Sequence, residues 1–420
     1  MKNTFLHAYL ASKNSIRIIC SKEIELDKTD VRLLIDDEII KKLKVELDKK
    51  TSEYVVVFDE NVLIGHSYFI DIPEYGRFPL DVRNATTFEG FDEEFFYGGE
   101  LGAIYSKEKT VFRLWAPLAS KVVLKLKKPG FAYDYLKMKR IEKGVFELEI
   151  AGDLDGAEYL YEVTNNEVSV ESIDPYAKGS TENGRSSVVL DFDSLSVKKE
   201  KESLKTLDEY IDSVIYEGNV RDLTIGRHTN IKNKGKYLGL IEENRTTEDG
   251  HPAGIDYFKM LGFTHIQLLP INDFKTVDEL NPNKTFNWGY DPAQYFVPEG
   301  SYSTDPKDPK SRIVEVQQMV QGFHKAGIRV VIDVVFNHVY EYLTSSFEKT
   351  TPNYWFRKTK EGKMANTSWC GDDVATEKPM VRKMILDAAR WWIDYYDIDG
   401  FRCDLMGILD VETVNAIVRI

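Results

Sequence analysis

From residue 213 to residue 420, short apolar runs alternate with amphipathic stretches, and this rhythm limits the fold more than any other feature of the chain. Strands that alternate with helices pair in parallel. The apolar runs predict four strands, at Val214–Tyr216, His265–Leu269, Arg329–Val335 and Asp399–Arg402. The amphipathic stretches predict four helices, at Ile255–Leu261, Ile313–Lys325, Met380–Tyr396 and Val411–Arg419.

The connections in this region are unequal in length. Segments that follow a strand are long and rich in Pro, Gly, Asp and aromatic residues, as in 269–310, whereas the turns from helix to strand are short, as at Gly262–Phe263. This asymmetry is expected of a (β/α)8 barrel, whose active site is built from loops at the carboxyl ends of the strands. Such a barrel needs eight strands, so residues 213–420 are predicted to form the first half of a TIM barrel, its first four βα units.

The residues before the barrel predict a multidomain chain. In 96–192, short runs alternate apolar with polar side chains, as in Val145–Ile150, and such strands separated by turns indicate a β-sandwich. Residues 1–95 mix short β-like runs with charged connectors and predict an N-terminal β-rich domain. The charged, Ser- and Lys-rich segment 193–212 is interpreted as a linker.

Charge and cysteine content limit the possible partners and location. The chain has 55 Lys and Arg against 69 Asp and Glu, a formal charge of −14 that is spread along its length. Nucleic acid and anionic membranes bind clustered Lys and Arg, so neither is expected as a partner. No apolar stretch approaches the ~20 residues that span a bilayer, and the start of the chain is too interrupted for a secretory signal. The three scattered cysteines fit a reducing compartment, so we expect a cytoplasmic protein, whose oligomeric state these features leave undetermined.

The segment Gly400–Gly407 is the strongest candidate for chemistry. Arg402 and Asp404 fall on the same face at the end of a predicted strand. A carboxylate paired with an arginine stays ionised, as a nucleophile must. A buried structural ion pair is the alternative interpretation.

The segment Phe286–Pro292 has the composition of a sugar-binding loop. Trp288 and Tyr290 stand beside Asp291, and pyranose sites combine aromatic rings with carboxylates that accept hydroxyl hydrogen bonds. A loop packed around Trp288 would explain the same residues.

Two further polar segments follow predicted strands. Asp333–His338 ends the third strand. Asp333 is placed to hydrogen-bond neighbouring loops, and Asn337 and His338 are expected to project above the sheet. A histidine alone is more often a structural residue than a ligand, so His338 by itself favours the structural interpretation. Later, in 366–373, Asp372–Asp373 could line a site, hold a cation or cap the next helix, and the cap is favoured.

In order and spacing, these segments resemble the α-amylase superfamily, glycoside hydrolase family 13, and within it the type I pullulanases. Asp333–His338 is similar to the family's first signature region and Gly400–Gly407 to its second. Phe286–Pro292 resembles the heptapeptide typical of pullulanases, with Phe286 where tyrosine is usual. Further resemblances lie in the module-48 carbohydrate-binding sandwich at 101–126 and in two debranching-enzyme hallmarks at Asp174–Lys178 and Pro298–Ser303.

The resemblance implies retaining hydrolysis of α-1,6-glucosidic branch linkages in pullulan, limit dextrins or glycogen-type α-glucans. It makes Asp404 the catalytic nucleophile and Arg402 the residue that orients it. A retaining mechanism also needs a second carboxyl group ~5–5.5 Å away, and in the family this glutamate follows the fifth strand. Glu412 lies too close in sequence to Asp404 to come from a fifth strand. We therefore expect the general acid/base to be absent from the chain, which would be truncated within the barrel, and residues 1–420 alone to be inactive.

Substrate contacts are implied in the same way. Tyr290 would stack under the sugar, with Trp288 supporting it and Asp291 beside it. His338 would bind that sugar's hydroxyl groups with support from Asn337, and the same resemblance makes Asp333 a brace for this wall. The chain departs from the family at Trp369–Cys370, where small residues are commoner, and at Cys403, which replaces a phenylalanine.

The expected partner is an α-glucan polysaccharide or a branched oligosaccharide. The chemistry requires no cofactor, and although calcium occurs in the superfamily, the sequence assigns no ligand set to it. Two alternatives stay open: a non-catalytic α-glucan-binding fragment, and another enzyme of the α-amylase superfamily.

Overall fold

The structure, a computed structural model, describes residues 6–21, 25–36, 38–59, 61–199 and 204–420. The first residues of the chain and part of the predicted linker lie outside this range. The described strands and helices form three successive assemblies.

The first assembly is an eight-stranded sheet. Its strands are β1 (Leu6–Ser12), β2 (Ser15–Cys20), β3 (Arg32–Ile35), β4 (Glu38–Lys42), β5 (Glu46–Asp48), β6 (Glu53–Val57), β7 (Tyr68–Ile72) and β8 (Gly76–Asp81). They lie in the order β4-β3-β7-β8-β1-β2-β6-β5, with β1 and β8 parallel and the other neighbours antiparallel. Alternate residues of β2, Ile16 and Ile18, are fully buried, as the period of a strand with one covered face requires. The short helix α1 (Phe91–Phe95) follows this sheet.

The second assembly is a sandwich of two antiparallel sheets around its own apolar core. One sheet holds β9 (Gly102–Tyr105), β10 (Lys109–Trp115), β13 (Lys139–Arg140) and β14 (Val145–Ala151). The other holds β11 (Lys121–Lys127), β12 (Asp134–Lys137), β15 (Glu158–Asn165), β16 (Val168–Ser172) and β17 (Ser187–Val188). In β14, Glu147 pairs across the sheet with Arg113 of β10 on the side away from the core.

The third assembly is a parallel sheet of four strands in the order β18-β21-β22-β23. These strands are β18 (Ile215–Gly218), β21 (His265–Leu268), β22 (Arg329–Val334) and β23 (Gly400–Cys403). Between β18 and β21 in sequence, β19 (Arg245–Thr246) and β20 (Pro252–Ala253) form a small separate hairpin. The helices are α2 (Tyr237–Leu240), α3 (Ile255–Leu261), α4 (Pro309–Lys325), α5 (Ser346–Thr350), α6 (Pro379–Tyr396) and α7 (Val411–Val418).

The two long helices have clear starts and ends. Asp308 caps α4 by accepting a hydrogen bond from the Lys310 amide, and Pro309 stands at the first helical position, where its missing N–H costs nothing. Helix α6 also starts with a proline, Pro379, but without a side-chain cap, and the residue after its last, Asp397, adopts a left-handed conformation. Both helices bury one face, and α4 packs against β22, the strand that carries Asp333.

The predicted fold class is confirmed: a β-rich N-terminal domain, a β-sandwich and the first half of a (β/α)8 barrel. The domain boundaries stay predictions, although 95/96 and 192/193 both fall between strands. Among the described residues no helix is long and apolar enough to cross a membrane.

Candidate active site

The carboxyl ends of β22 and β23 bring the predicted ionic residues together. Asp333 and Arg402 are register partners in the parallel pair, so their side chains emerge side by side. The Nη1 atom of Arg402 donates to both carboxylate oxygens of Asp333, at 3.0 and 2.8 Å, and to Oδ1 of Asp404 at 2.8 Å. One guanidinium nitrogen thus bridges two carboxylates from adjacent strands.

Burial sets the electrostatics of this trio. Asp333 is fully buried, and loss of hydration raises its pKa, although hydrogen bonds from Tyr290 and Arg402 act in the opposite direction. Loss of hydration opposes the charge on Arg402, yet its hydrogen bonds and the two carboxylates raise its pKa. The arginine therefore stays charged beside Asp404.

Asn337 and His338 extend the network above β22. The Asn337 side-chain amide donates to the Asp404 carbonyl oxygen at 2.9 Å and to its Oδ2 at 3.1 Å. Because both partners can only accept, Oδ1 of Asn337 is left to accept from Nδ1–H of His338, 2.5 Å away. Both side chains are buried, so this chain of bonds is fixed in one orientation.

Tyr290 forms the opposite side of the same network. Its hydroxyl donates to Oδ2 of Asp333 at 2.7 Å, and the guanidinium carbon of Arg402 lies 6.0 Å from its ring centroid. Its backbone carbonyl oxygen lies 2.8 Å from Nε2 of His338. Five of the predicted site residues, Tyr290, Asp333, His338, Arg402 and Asp404, therefore meet at one end of the sheet, and Asn337 joins them.

The other two predicted residues of the 286–292 loop have different surroundings. Asp291 accepts from the amide and hydroxyl of Thr276 and from the side-chain amide of Asn287, so its carboxylate holds the loop together. Trp288 is 60% exposed and packs edge-on against Phe286. The interpretation of a loop packed around Trp288 is therefore wrong, because Asp291 and Asn287 hold the loop and leave the indole exposed.

The acidic pair Asp372–Asp373 does not cap helix α6. That helix begins at Pro379 after Lys378, whose side chain makes no capping bond. Asp373 instead accepts from the Thr367 amide and hydroxyl and from the Ser368 amide, and Asp372 accepts from the Val339 amide. Burial raises the pKa of Asp372 to about 7. The favoured prediction was wrong because both side chains are used to fold their own loop onto the end of β22.

A cluster of three buried carboxylates lies in the loop after β21. It was not predicted from the sequence, and it is a candidate site for calcium. Oxygen atoms of Asp273, Glu279 and Glu299 lie within 4.8 Å of one another. The guanidinium of Arg312, also fully buried, contacts Glu279 at 2.5 and 3.1 Å and Asp273 at 3.7 Å. An arginine thus provides the positive charge that a metal ion would supply, and the cluster does not fit a calcium site. In the sequence, Arg312 directly precedes the helix predicted at Ile313–Lys325 and Glu299 lies in the hallmark Pro298–Ser303, but neither position reveals that the two side chains meet in one cluster.

Comparison with known families identifies the second and third assemblies. Residues 100–177 match the family described as carbohydrate-binding module 48 (isoamylase N-terminal domain), and residues 245–416 match the α-amylase catalytic domain. A module-48 sandwich ahead of parallel strands that end in Asp333, Arg402 and Asp404 defines a protein of the α-amylase superfamily.

Individual relatives indicate which members of this superfamily the chain resembles. The pullulanase of Bacillus subtilis (strain 168) is 40% identical over 417 residues, which are 97% of this chain and 57% of that protein. Pullulanase 1 (chloroplastic) of Arabidopsis thaliana is 32% identical over 376 residues, 77% of this chain and 38% of that protein. The crystal structure of the pullulanase from Anoxybacillus sp. LM18-11 complexed with maltotriose superposes with a TM-score of 0.93 at 38% identity, over 99% of this chain and 60% of that one. By sequence and fold, the chain belongs to the type I pullulanase family. It spans less than two thirds of the length of these relatives.

Proposed function

We propose that this chain carries the nucleophile half of an α-1,6-glucan debranching hydrolase. The observation that supports the proposal best is the position of Asp404, whose Oδ1 accepts from Arg402 and whose Oδ2 accepts from Asn337. Its side chain is only 12% exposed, so it is presented in one orientation at the open end of the strands. Groups held in this way meet the requirement for a preorganised nucleophile.

In the proposed reaction, an Asp404 oxygen attacks the anomeric carbon of the branch glucosyl unit. A covalent bond to the carboxylate forms as the bond to the O6 leaving oxygen breaks, and that oxygen takes a proton from a general acid. Water, deprotonated by the same group, then attacks the anomeric carbon and releases Asp404, so the configuration is retained. Arg402 compensates the charge of Asp404 before attack and after release.

Tyr290, His338 and Asn337 are proposed to receive the sugar. The Tyr290 ring is held by its hydroxyl bond to Asp333, and aromatic rings stack on the apolar faces of pyranoses. Solved pullulanases with TM-scores of 0.93 and 0.91 are complexed with maltotriose and maltotetraose, which supports an α-glucan as the partner here. For Trp288, at the exposed rim of the same loop, we propose a role in sugar contact rather than in backing Tyr290.

The general acid is not assigned to any residue that the structure describes. Asp291, Asp333, Asp372 and Asp373 lie on loops and strand ends near Asp404 or His338, and each already accepts hydrogen bonds from its own neighbours. We therefore propose that residues 1–420 alone bind α-glucan without turning it over.

A chimera tests the proposal. Residues 1–420 are joined to the part of the B. subtilis pullulanase that follows the matched region, and folding is checked by circular dichroism. The chimera is expected to release maltotriose from pullulan, whereas its Asp404→Asn variant and residues 1–420 alone are expected to release no reducing sugar. A folded chimera without activity would reject the assignment of Asp404, and turnover by residues 1–420 alone would reject the account of the general acid.

The product identifies the bond that is cleaved. Maltotriose indicates cleavage of α-1,6 bonds, while panose or isopanose would indicate an α-1,4-acting member of the superfamily. Glucan binding without turnover by a well-folded chimera would favour the alternative of a binding protein.

We also propose a cytoplasmic location. The thiols of Cys370 and Cys403 are free, and burial raises the pKa of both, which makes them poorly reactive and suits a reducing compartment. Fractionation of cells that express the protein tests this location, and recovery outside the cytoplasm would reject it.

A further inference from the structure

Trp369 is presented to solvent in an unfavourable backbone conformation. Its φ angle is +64°, in the left-handed region that favours glycine, and 91% of the residue is exposed. A bulky residue in this region destabilises the fold, and an indole so exposed gains almost nothing from packing. A contribution to the stability of the fold therefore does not explain why residue 369 is a tryptophan.

The loop around Trp369 is held firmly. Asp373 accepts three hydrogen bonds from Thr367 and Ser368, and the Ser368 hydroxyl donates to the Asp372 carbonyl oxygen. The Gly371 amide, two residues after Trp369, donates to Oδ1 of Asn366, three residues before it. Hydrogen bonds on both sides of residue 369 thus hold the backbone from which the exposed indole projects, and this lowers the entropy that is lost when a ligand binds.

The same loop lies against the candidate active site. The amide of Val374 donates to the carbonyl oxygen of Asn337, and the Val339 amide donates to Asp372. Cys370, the next residue after Trp369, lies close enough to Asp404 for that carboxylate to act on its thiol. Trp369 is thus three residues from Asp372 and five from Val374, which both bond to the loop after β22 that carries Asn337.

We propose that Trp369 is a stacking platform for an outer glucosyl unit of the same α-glucan chain whose cleaved unit lies on Tyr290. This inference rests on the proposed function, because it places Trp369 at the rim of the same glucan site. Trp369 is then a specificity-determining residue that favours chains long enough to reach from Tyr290 to the rim.

Binding of maltotetraose to residues 1–420 by isothermal titration calorimetry tests the inference. Trp369→Gly is expected to weaken binding about three- to tenfold, the range expected for loss of one aromatic contact. Trp369→Phe keeps a ring and is expected to bind within about twofold of the parent chain. Tyr210→Ala is the matched control, because Tyr210 is 98% exposed and precedes β18, at the opposite end of the strands from Asp404.

Thermal melting separates this role from a structural one. Glycine suits the left-handed conformation, so Trp369→Gly is expected to keep or raise Tm, whereas a structural tryptophan would lower it on removal. Trp369→Asn, which also tolerates this conformation, replaces the glycine variant if that variant does not fold. A folded Gly or Asn variant that binds maltotetraose as tightly as the parent chain would overturn the inference.

Tyr290→Ala distinguishes failure of the inference from failure of the proposed function. If Tyr290→Ala abolishes binding and Trp369→Gly leaves it unchanged, only the platform role is rejected. If binding survives Tyr290→Ala, or if the parent chain binds no maltotetraose, the proposed glucan site is rejected and the inference with it.

Discussion

A single side-chain amide of Asn337 holds Asp404 at two points, its backbone carbonyl oxygen at 2.9 Å and its carboxylate at 3.1 Å. The bond runs from the loop after the third barrel strand to the end of the fourth. The orientation of the proposed nucleophile is therefore set by the neighbouring strand as well as by its own.

Asn337→Ala is expected to lower the free energy of unfolding by about 1–3 kcal/mol, because buried acceptors and the His338 ring lose their partner. In the chimera we expect maltotriose release to fall by more than tenfold, since Asp404 is no longer held. Urea denaturation and reducing-sugar assays measure the two effects. Asn281→Ala, which removes an exposed amide bonded to Asp278, is the control, and equal effects of the two changes would contradict the prediction.

Arg402→Gln is expected to destabilise the fold by about 3–5 kcal/mol, because it leaves the buried carboxylate of Asp333 without its charged partner. The double variant Asp333→Asn, Arg402→Gln removes both charges and is expected to recover much of this loss. A double-mutant cycle on urea denaturation measures the coupling. Simple additivity of the two changes would show that the pair does not stabilise the folded state.

The pH dependence of stability is expected to carry a contribution from Asp174. Burial raises the pKa of this carboxyl to about 6, although bonds from Tyr176, Tyr159 and Tyr161 oppose the change. Since the folded value lies above the unfolded value of about 3.9, the folded state binds this proton more tightly. Its contribution to stability is therefore largest below about pH 4 and is lost as the pH rises to about 6.

Asp174→Asn does not titrate and is expected to remove that dependence. Between pH 4 and 6.5 the free energy of unfolding of the parent chain is expected to fall, relative to the variant, by on the order of 2–3 kcal/mol. Urea denaturation at several pH values measures the difference. Parallel curves for the two proteins would contradict the assignment.

Asn166 joins the N-terminal sheet to the sandwich and is expected to respond differently to two substitutions. Its side chain accepts from the Tyr68 amide and donates to the Leu80 carbonyl oxygen, both at 2.7 Å, and its φ angle is +47°. Both variants lose the two hydrogen bonds. Glycine keeps the left-handed backbone at no steric cost, whereas alanine is also strained in that conformation. We expect thermal melting to rank the alanine variant about 1 kcal/mol below the glycine variant. The opposite order would show that the backbone conformation is not strained.

The barrel strands were predictable because each is an apolar run between polar loops. The predicted His265–Leu269 is observed as His265–Leu268, and Ile255–Leu261 is observed unchanged. In the N-terminal domain, β2 (Ser15–Cys20) coincides with one of the short β-like runs of the sequence. The parallel pairing of β1 with β8 was not predicted, because it depends on contacts between distant parts of the chain.

In the candidate site, too, local features were predictable and contacts between distant segments were not. The sequence places Arg402 and Asp404 together, since both lie on one strand face. It does not reveal that Asp333 shares the same nitrogen of Arg402, because that contact depends on the register of β22 against β23. The prediction of a helix cap at Asp372–Asp373 failed for a related reason: local composition favours caps, but the hydrogen bonds are decided by how the loop folds back on residues 337–339.

The sandwich is attached to the barrel by direct contacts as well as through the chain. Thr351 donates its hydroxyl to the Trp115 carbonyl oxygen, Gln294 donates to the Ser180 hydroxyl, and the Trp115 ring packs edge-on against Tyr354 at 4.8 Å. A module docked in this way is held in a fixed position relative to the barrel strands. The distance from the module to Asp404 is therefore constant, and under the proposed function a glucan that contacts both must span that distance.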